Sequence, residues 1–364
     1  MPESRLDEER LARLRLIRSA NVGPVSYRQL IRRFGSAVDA IAAIPDLARR
    51  GGGEPTRICL RADAEREAVR VAQLGAHYLL IGDAGYPTML AELDDAPPVL
   101  ILRGDLGLLD RPVVAMVGAR NASAAACRFA RDLARALGEE GVTIVSGLAR
   151  GVDTAAHTGS LDSGTVGVIA SGIDIAYPPD NAALQERIAC QGLLLAEQPP
   201  GTEPLARHFP RRNRIIAGLA VGTVVVEAAP KSGSLITARI AAEAGREVMA
   251  VPGSPVDQRA QGCNLLIREG ATLVQCADDV LEAIRPIDPR LRQQREAWTG
   301  PSAADDAGDA DRTRVIDLLA AAPVPVDELI RQAGLASAIV QLVLLELELG
   351  GRLERHAGGR VSLI

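Results

Sequence analysis

Apolar positions change their spacing along the chain, and the changes mark out its elements. From residue 6 to about 75 they recur at helical intervals. Leu11, Leu14, Leu16 and Ile17 form one stripe, and Leu30, Ile31, Phe34, Val38 and Ile41 a second. Asn21-Val22-Gly23-Pro24 lies between the stripes as a turn. Helices joined by a short glycine turn have the outline of a helix-hairpin-helix or SAM-like module that meets nucleic acid, and equally of a plain helical packing domain.

From Val113 the pattern becomes one of short apolar runs alternating with helical segments, as a parallel sheet covered on both faces requires. The spacing predicts strands at Val113–Val117, Val142–Ser146, Val166–Ser171, Leu193–Ala196, Thr223–Glu227, Val248–Pro252 and Thr272–Val274. Helices are predicted between them at Ala124–Leu137, Thr154–Ser160, Ala182–Cys190, Asn213–Leu219, Leu235–Ala244 and Asn264–Arg268. The result is a doubly wound α/β domain. After about Pro286 the chain turns polar, and Thr299–Asp311 (TGPSAADDAGDAD) reads as a linker. From Arg314 helices return around Val326–Ile330 and Ile339–Leu345, followed by Gly350-Gly351-Arg352 and a two-stranded hairpin to Leu363, the outline of a winged helix. The expected organisation is a helical SAM-like domain over 1–75, a Rossmann-like domain with its lead-in over 76–286, a linker over 287–311 and a winged helix over 312–364.

Composition narrows the function. With 364 residues, 47% of them hydrophobic, the chain has material for two or three domains. No apolar run approaches the ~18 residues of a membrane span, and the charged start, Met1 to Arg10, lacks a signal-peptide core, so a cytoplasmic setting is expected. Cys59, Cys127, Cys190, Cys263 and Cys276 stand far apart without metal-ligand spacing, which points to buried free thiols and to no metal or cofactor. A net charge of −5 excludes general basicity, so any nucleic-acid site must be local. With three Phe, four Tyr and one Trp, sugar-phosphate contacts should outweigh base stacking.

Ligands of open α/β sheets bind beyond the carboxyl ends of strands, where loops enter helix amino termini. The first such junction runs from Val117 to Ser123. There Gly118 permits close backbone approach, Arg120 can fork onto a phosphate, and Ser123 can cap the next helix. The order is not GxGxxG, so the dinucleotide fingerprint is missing. The second junction, Ser146 to Asp153, is bracketed by Gly147 and Gly151, with His157 four residues beyond Asp153. An Asp/His pair can serve acid-base chemistry; without a nucleophile or a ligand set, the preferred reading is structural, with Asp153 capping the helix beside His157. The densest positive charge, His208 to Arg214, precedes the strand whose exit holds Lys231, the only lysine, with Ser232, Gly233 and Ser234. That exit has the composition of a phosphate cradle but not the order of a P-loop. Several phosphate-competent loops at one sheet edge suit an extended polyanion better than a single nucleotide.

The series VGAR, SGLARGVDTAAH, SGIDIAYPPDN, FPRRNRIIAGL, SGSLITA, VPG and GCNLLI, over about residues 77 to 285, resembles the DprA/Smf family. The resemblance implies a protein that binds and protects single-stranded DNA, loads the RecA recombinase on it during natural transformation and recombination, and has no catalytic turnover. It also implies a homodimer formed through the Rossmann-like domain. The family's DNA-contacting arginine falls on Arg120, its basic FPxRNR loop on Arg211, Arg212, Asn213 and Arg214, and its SGSLIT loop on Ser232, Gly233 and Ser234. With Gly118, Ser123, Gly147 and Lys231 from the junctions, these are the expected DNA-binding residues. Where some members carry a lysine after Tyr-Pro, this chain has Pro179-Asp180, so that one contact is lost or is replaced by Arg187. Dimer and recombinase surfaces are implied near Gly262 to Val274, where Leu265, Leu266 and Ile267 are either anchors or ordinary core.

Two other readings compete. Nucleotide-binding or nucleotide N-glycoside-hydrolysing proteins share such sheets, but KSGSLITA stands where those hydrolases carry a PGGxGTxxE run with its glutamate. A transcription regulator is suggested by the winged helix, yet the module has few basic groups beyond Arg331 and bears Glu346 and Glu348, so protein docking is the preferred role for it.

Overall fold

The computed structural model describes residues 6–50, 57–288, 307–320, 322–349, 353–356 and 360–363. Most of the expected linker, and the Gly350-Gly351-Arg352 turn, lie outside the described residues. The chain divides into two compact units, Met1–Arg292 and Gln293–Ile364.

The first unit opens with helices α1 (Glu8–Arg18), α2 (Pro24–Phe34), α3 (Ala37–Arg50) and α4 (Arg61–Gln73). Leu11, Leu14 and Leu16 of the first predicted stripe are buried. The second stripe is not one helix. Gly35, in left-handed backbone with φ 78, ends α2, and α3 restarts out of phase with it. Ala37, Ala40, Ile41 and Ile44 therefore turn inward while Val38 stays 47% exposed. The helical layer is continuous with the sheet, because Leu11, Leu14 and Ala64 pack with Leu80 and Val99 of the first two strands.

Those strands are β1 (His77–Leu80) and β2 (Val99–Gly104), followed by the single turn α5 (Thr88–Ala91) between them and then β3 (Val113–Gly118). After β3 the chain alternates as read from the sequence: α6 (Ala124–Glu139), β4 (Thr143–Ser146), α7 (Val152–Ser160), β5 (Thr165–Gly172), α8 (Ala182–Gln191), β6 (Leu193–Gln198), α9 (His208–Leu219), β7 (Gly222–Val226), α10 (Gly233–Glu243), β8 (Glu247–Ala250), α11 (Gln261–Arg268), β9 (Thr272–Leu273) and α12 (Ala277–Ile284). The nine strands form one sheet in the order β1-β2-β6-β5-β4-β3-β7-β8-β9. β3 to β9 are parallel, and β2 joins β6 antiparallel. β1 and β2 escape the sequence reading because a four-residue HYLL and a wholly apolar VLIL run carry no alternation to set them apart from short helices.

The period of two along β3 divides the core. Val113, Ala115 and Val117 face α9 and α10, among Ile215, Leu219 and Ala238. Val114 and Met116 face α6, α7 and α12, among Leu133, Ala156 and Leu281. Of the cysteines expected to be buried only Cys263 is; Cys190 and Cys276 lie at helix ends and are exposed, and Cys59 and Cys127 are half-buried. Leu266 and Ile267 pack against the core, and Leu265 is half-buried. No helix among the described residues is long and apolar enough to cross a membrane.

The second unit comprises α13 (Asp309–Asp317), β10 (Val324–Pro325), α14 (Val326–Ala333), α15 (Ser337–Leu349), β11 (Leu353–His356) and β12 (Arg360–Leu363). It is the expected winged helix, with β10 added to make a three-stranded β10-β12-β11 sheet. Val315, Leu329, Val340, Leu344 and Val361 form its core.

His157 joins α7 to the sheet from within the first unit. It is wholly buried, and Nδ1 lies 2.8 Å from the Thr165 hydroxyl. Burial and the Arg212 charge push its pKa down to about 3. The folded pKa is below the unfolded value, so its contribution to stability is complete above about pH 6.5 and is lost as pH falls toward 3. Melts at pH 7, 6 and 5 should therefore show wild type losing up to about 1.4 kcal/mol per pH unit more than His157→Asn. Parallel decline in the two proteins would contradict this.

Candidate nucleic-acid interface

The strand order reverses at β3, whose neighbours β4 and β7 lead the chain to opposite sides. Loops leaving the carboxyl ends of β3, β4 and β7 therefore diverge, and an open cleft of about 630 Å³ lies between them. Gly118, Arg120, Phe209, Lys231, Ser234 and Arg259 are among its walls.

The β3 loop is pinned tightly. A Cβ at Gly118 would collide with the Val226 carbonyl and the Val152 side chain, so glycine is required there. Arg120 is exposed, its guanidinium 5.2 Å from the centre of the Phe209 ring. Phe209 in turn lies 5.6 Å from the Tyr177 ring. These three side chains, with Arg150, border an adjoining recess of about 130 Å³. Ser123 caps α6, its Oγ accepting from the Ala126 N–H at 3.1 Å.

The β4 loop is held from below. Leu148 is buried in left-handed backbone, φ 56. Gly151, φ 77, leaves no space for a Cβ beside the Ala119 carbonyl. Asp153 does not cap α7, whose N-cap is Gly151; it folds back, Oδ2 accepting from Gly147 N–H at 3.1 Å and Ala149 N–H at 3.3 Å. Burial pushes the Asp153 carboxyl up, while Arg212 and those N–H groups pull it down. Asn181 closes the loop from the other side, Nδ2 donating to the Leu148 carbonyl at 2.8 Å.

The basic run is not the expected loop but the first half of α9, which begins at His208. Pro210 sits in the first turn, where its missing N–H costs no helical hydrogen bond. The helical pitch then sorts the charges. Arg212 points inward, 6% exposed, with Nη1 donating to the carbonyls of Gly147 and Val168 at 2.5 Å each. Burial lowers its pKa to about 10 against the pull of Asp153. Arg214 is buried in an ion pair with Glu197, its Nε 3.5 Å from Asp95. Together with exposed Arg211 it opens on a separate groove bordered by Glu92, Asp94 and Glu243. Asn213 does line the cleft, its Nδ2 donating to the Gly233 carbonyl at 3.4 Å.

At the β7 exit Ser232 caps α10, with its hydroxyl 2.7 Å from that of Ser234. Lys231 and Gly233 are exposed. The structure thus brings Gly118, Arg120, Arg212, Asn213, Lys231, Ser232, Gly233 and Ser234 around one cleft. Gly147 stands behind Arg212, Ser123 at the start of α6, and Arg211 and Arg214 face elsewhere. Arg187 is exposed on α8 and is absent from the cleft walls. Asp180, where some relatives carry a lysine, pairs with Arg150 at 2.8 Å. Phe209 and Arg259 on the cleft, and Tyr177 and Arg150 on the adjoining recess, are residues the sequence reading did not select; Phe209, Tyr177 and Arg150 each lay inside a quoted motif, and Arg259 carried no signal.

Comparison with known proteins places the chain in a family. Residues 77–285 match the model of DNA recombination-mediator protein A, residues 7–69 a DprA-like N-terminal HHH domain and residues 299–359 a DprA winged helix domain. The chain is 33% identical to Protein Smf of Synechocystis sp. over 93% of its own length and 95% of that protein. It is 48% identical to DNA processing protein DprA of Streptococcus pneumoniae over 55% of its own length and 71% of that protein. Among solved structures, DprA from S. pneumoniae superposes with a TM-score of 0.64 at 37% identity, covering 77% of this chain and 99% of the other. DNA processing protein A from Helicobacter pylori, whose structure describes a single-stranded DNA binding mode, gives 0.52 at 30% identity, covering 56% and 93%.

The two arginines nearest the cleft should separate in experiment. Arg212→Ala removes the donor to the Gly147 and Val168 carbonyls and the charge that offsets Asp153, and should cost about 3–5 kcal/mol in urea unfolding. Arg120→Ala removes an exposed cation-π contact and should cost less than about 1 kcal/mol. Equal losses would remove the distinction between a buried brace and an exposed binding group.

Proposed function

The chain belongs to the DNA recombination-mediator protein A family, and on that premise we propose that it binds single-stranded DNA across the carboxyl ends of β3, β4 and β7. The observation that carries the reading is the exposed guanidinium of Arg120 resting on Phe209 across the cleft from Lys231 and the Ser232-Gly233-Ser234 turn. A cation of this kind gives a charge-assisted phosphate bond, and the ring beneath it offers a base a stacking face. Stacking thus has a larger share than the aromatic content suggests. Binding protects incoming DNA and presents it to RecA during transformation and recombination.

The protein acts as a binder without turnover. In support, the Asp153 carboxylate is committed to loop N–H groups, and His157 is buried with a pKa far below neutrality. A homodimer through the Rossmann-like unit is supported by the outer edge of β9, where Leu273 is 41% exposed. The winged helix serves as a protein-docking module: α15 has no lysine or arginine along its length, and Arg331 on α14 is tied to Glu328. The working place is the cytoplasm.

Fluorescence anisotropy of a labelled single-stranded oligonucleotide, with duplex as competitor, tests the site. Arg120→Ala should weaken binding by roughly 1–3 kcal/mol. It should also reduce the slope of log K against log salt by about 0.7, one phosphate's share on a single strand. Phe209→Leu should weaken binding by about 1–3 kcal/mol while leaving that salt slope unchanged. Wild-type affinity in both variants would place the DNA elsewhere.

A further inference from the structure

Glu227 leaves β7 in left-handed backbone, φ 58. Few residues other than glycine, asparagine and aspartate take that conformation. Its carbonyl accepts from the Ala119 N–H at 2.7 Å. Its side chain turns back over the β3 loop, and Oε2 accepts from the Ser123 N–H at 2.7 Å. The side chain is 11% exposed, with Oε1 3.8 Å from the Nε of Arg259. Arg259 is itself paired with Asp257 at 3.0 Å.

A free nucleotide bound at a Rossmann-like sheet depends on its phosphate, which takes the unpaired N–H groups of the strand-exit loop and of the first turn of the next helix. Here three of those donors, the N–H groups of Ala119, Ser123 and Ala126, are engaged from within. Glu227 takes the N–H groups of Ala119 and Ser123, and the Ser123 hydroxyl takes that of Ala126 at 3.1 Å. The Glu227 carboxylate, beside the cleft rather than on its walls, stands at the Ser123 N–H that a phosphate at the start of α6 would use. The exposed cations lie away from that point, Arg120 on Phe209 and Lys231 at the β7–α10 turn. They can reach phosphates of a chain laid across the cleft, several at a time, which a single phosphate cannot exploit.

We propose that Glu227 is a specificity-determining residue beside the cleft: its carboxylate takes the place of a phosphate at the start of α6 and excludes free nucleotides, leaving the rim cations to a sugar-phosphate backbone. The inference rests on the single-strand reading and adds to it the means by which a Rossmann-like sheet rejects mononucleotides. The left-handed backbone is what lets a strand-exit residue send its side chain back across the neighbouring loop.

The test uses the whole chain as wild type, Glu227→Gln and Glu227→Asn, the second because asparagine accepts left-handed backbone readily. Melting curves establish that each is folded. Titration calorimetry with thymidine monophosphate should show binding at least tenfold tighter in the neutral variants than in wild type, and no gain for thymidine, which lacks the phosphate. Thymidine monophosphate should then displace a labelled oligothymidylate from the variants at concentrations that leave the wild-type complex intact. Folded variants that bind thymidine monophosphate no better than wild type would overturn the proposal, as would an equal gain for thymidine. The calorimetry does not depend on oligonucleotide binding, so a wild type that ignores oligothymidylate would count against the single-strand reading alone.

Discussion

The buried guanidinium of Arg212 holds the cleft in shape. It enters from α9 beneath the loops, bonds the carbonyls of Gly147 just past β4 and of Val168 within β5, and faces Asp153. Asp153 in turn fixes the N–H groups of Gly147 and Ala149. A chain of charge-assisted bonds thus runs from a helix on one side of the sheet, through the strand ends, to the first turn of α7 on the other. A buried pair of this kind contributes little net stability over an apolar substitute, because both charges must be desolvated. What it contributes is geometry: the carbonyls of Gly147 and Val168 and the N–H groups of Gly147 and Ala149 are all bonded by these two side chains.

That brace makes room for strain elsewhere. Leu148 and Glu227, the residues that follow β4 and β7 most closely in left-handed backbone, are not glycine. Each such residue costs of order 1–3 kcal/mol and persists only where its surroundings over-determine it. Leu148 is held by its wholly buried side chain and by Asn181 on its carbonyl, Glu227 by its two bonds to the β3 loop. Glycine is kept for the points where backbones touch, Gly118 against the Val226 carbonyl and Gly151 against the Ala119 carbonyl. Loops built this way are held from several sides, and a preorganised rim would lose little entropy on taking up the proposed single strand.

The parallel core, β3 to β9, was legible because buried strands and amphipathic helices impose different apolar spacings. β1 and β2 were not, since short runs without alternation give no period, and Val38 was misplaced because Gly35 resets the helical phase. The site divides in the same manner. Arg120, Lys231 and the serine turn could be located from strand exits alone, but Arg211 to Arg214 read as one basic loop until the helix assigned each side chain its own direction. A linear run of charge does not record that two of its arginines are buried. Nor does composition record that two of few aromatic rings, Tyr177 and Phe209, meet beneath an arginine.

Charge supplies the last step. A chain of net charge −5 attracts a polyanion only where its cations are not already neutralised. Around the cleft most are: Arg150 pairs with Asp180, Arg214 with Glu197, and Arg259 with Asp257. Arg120 and Lys231 have no ion pair among the described residues, and both face the opening. Pairing elsewhere leaves these two as the exposed, unpaired cations on the cleft walls among the described residues. For the proposed single-strand site, attraction to a phosphate chain is therefore a matter of position along the rim, set against a surface whose net charge is negative.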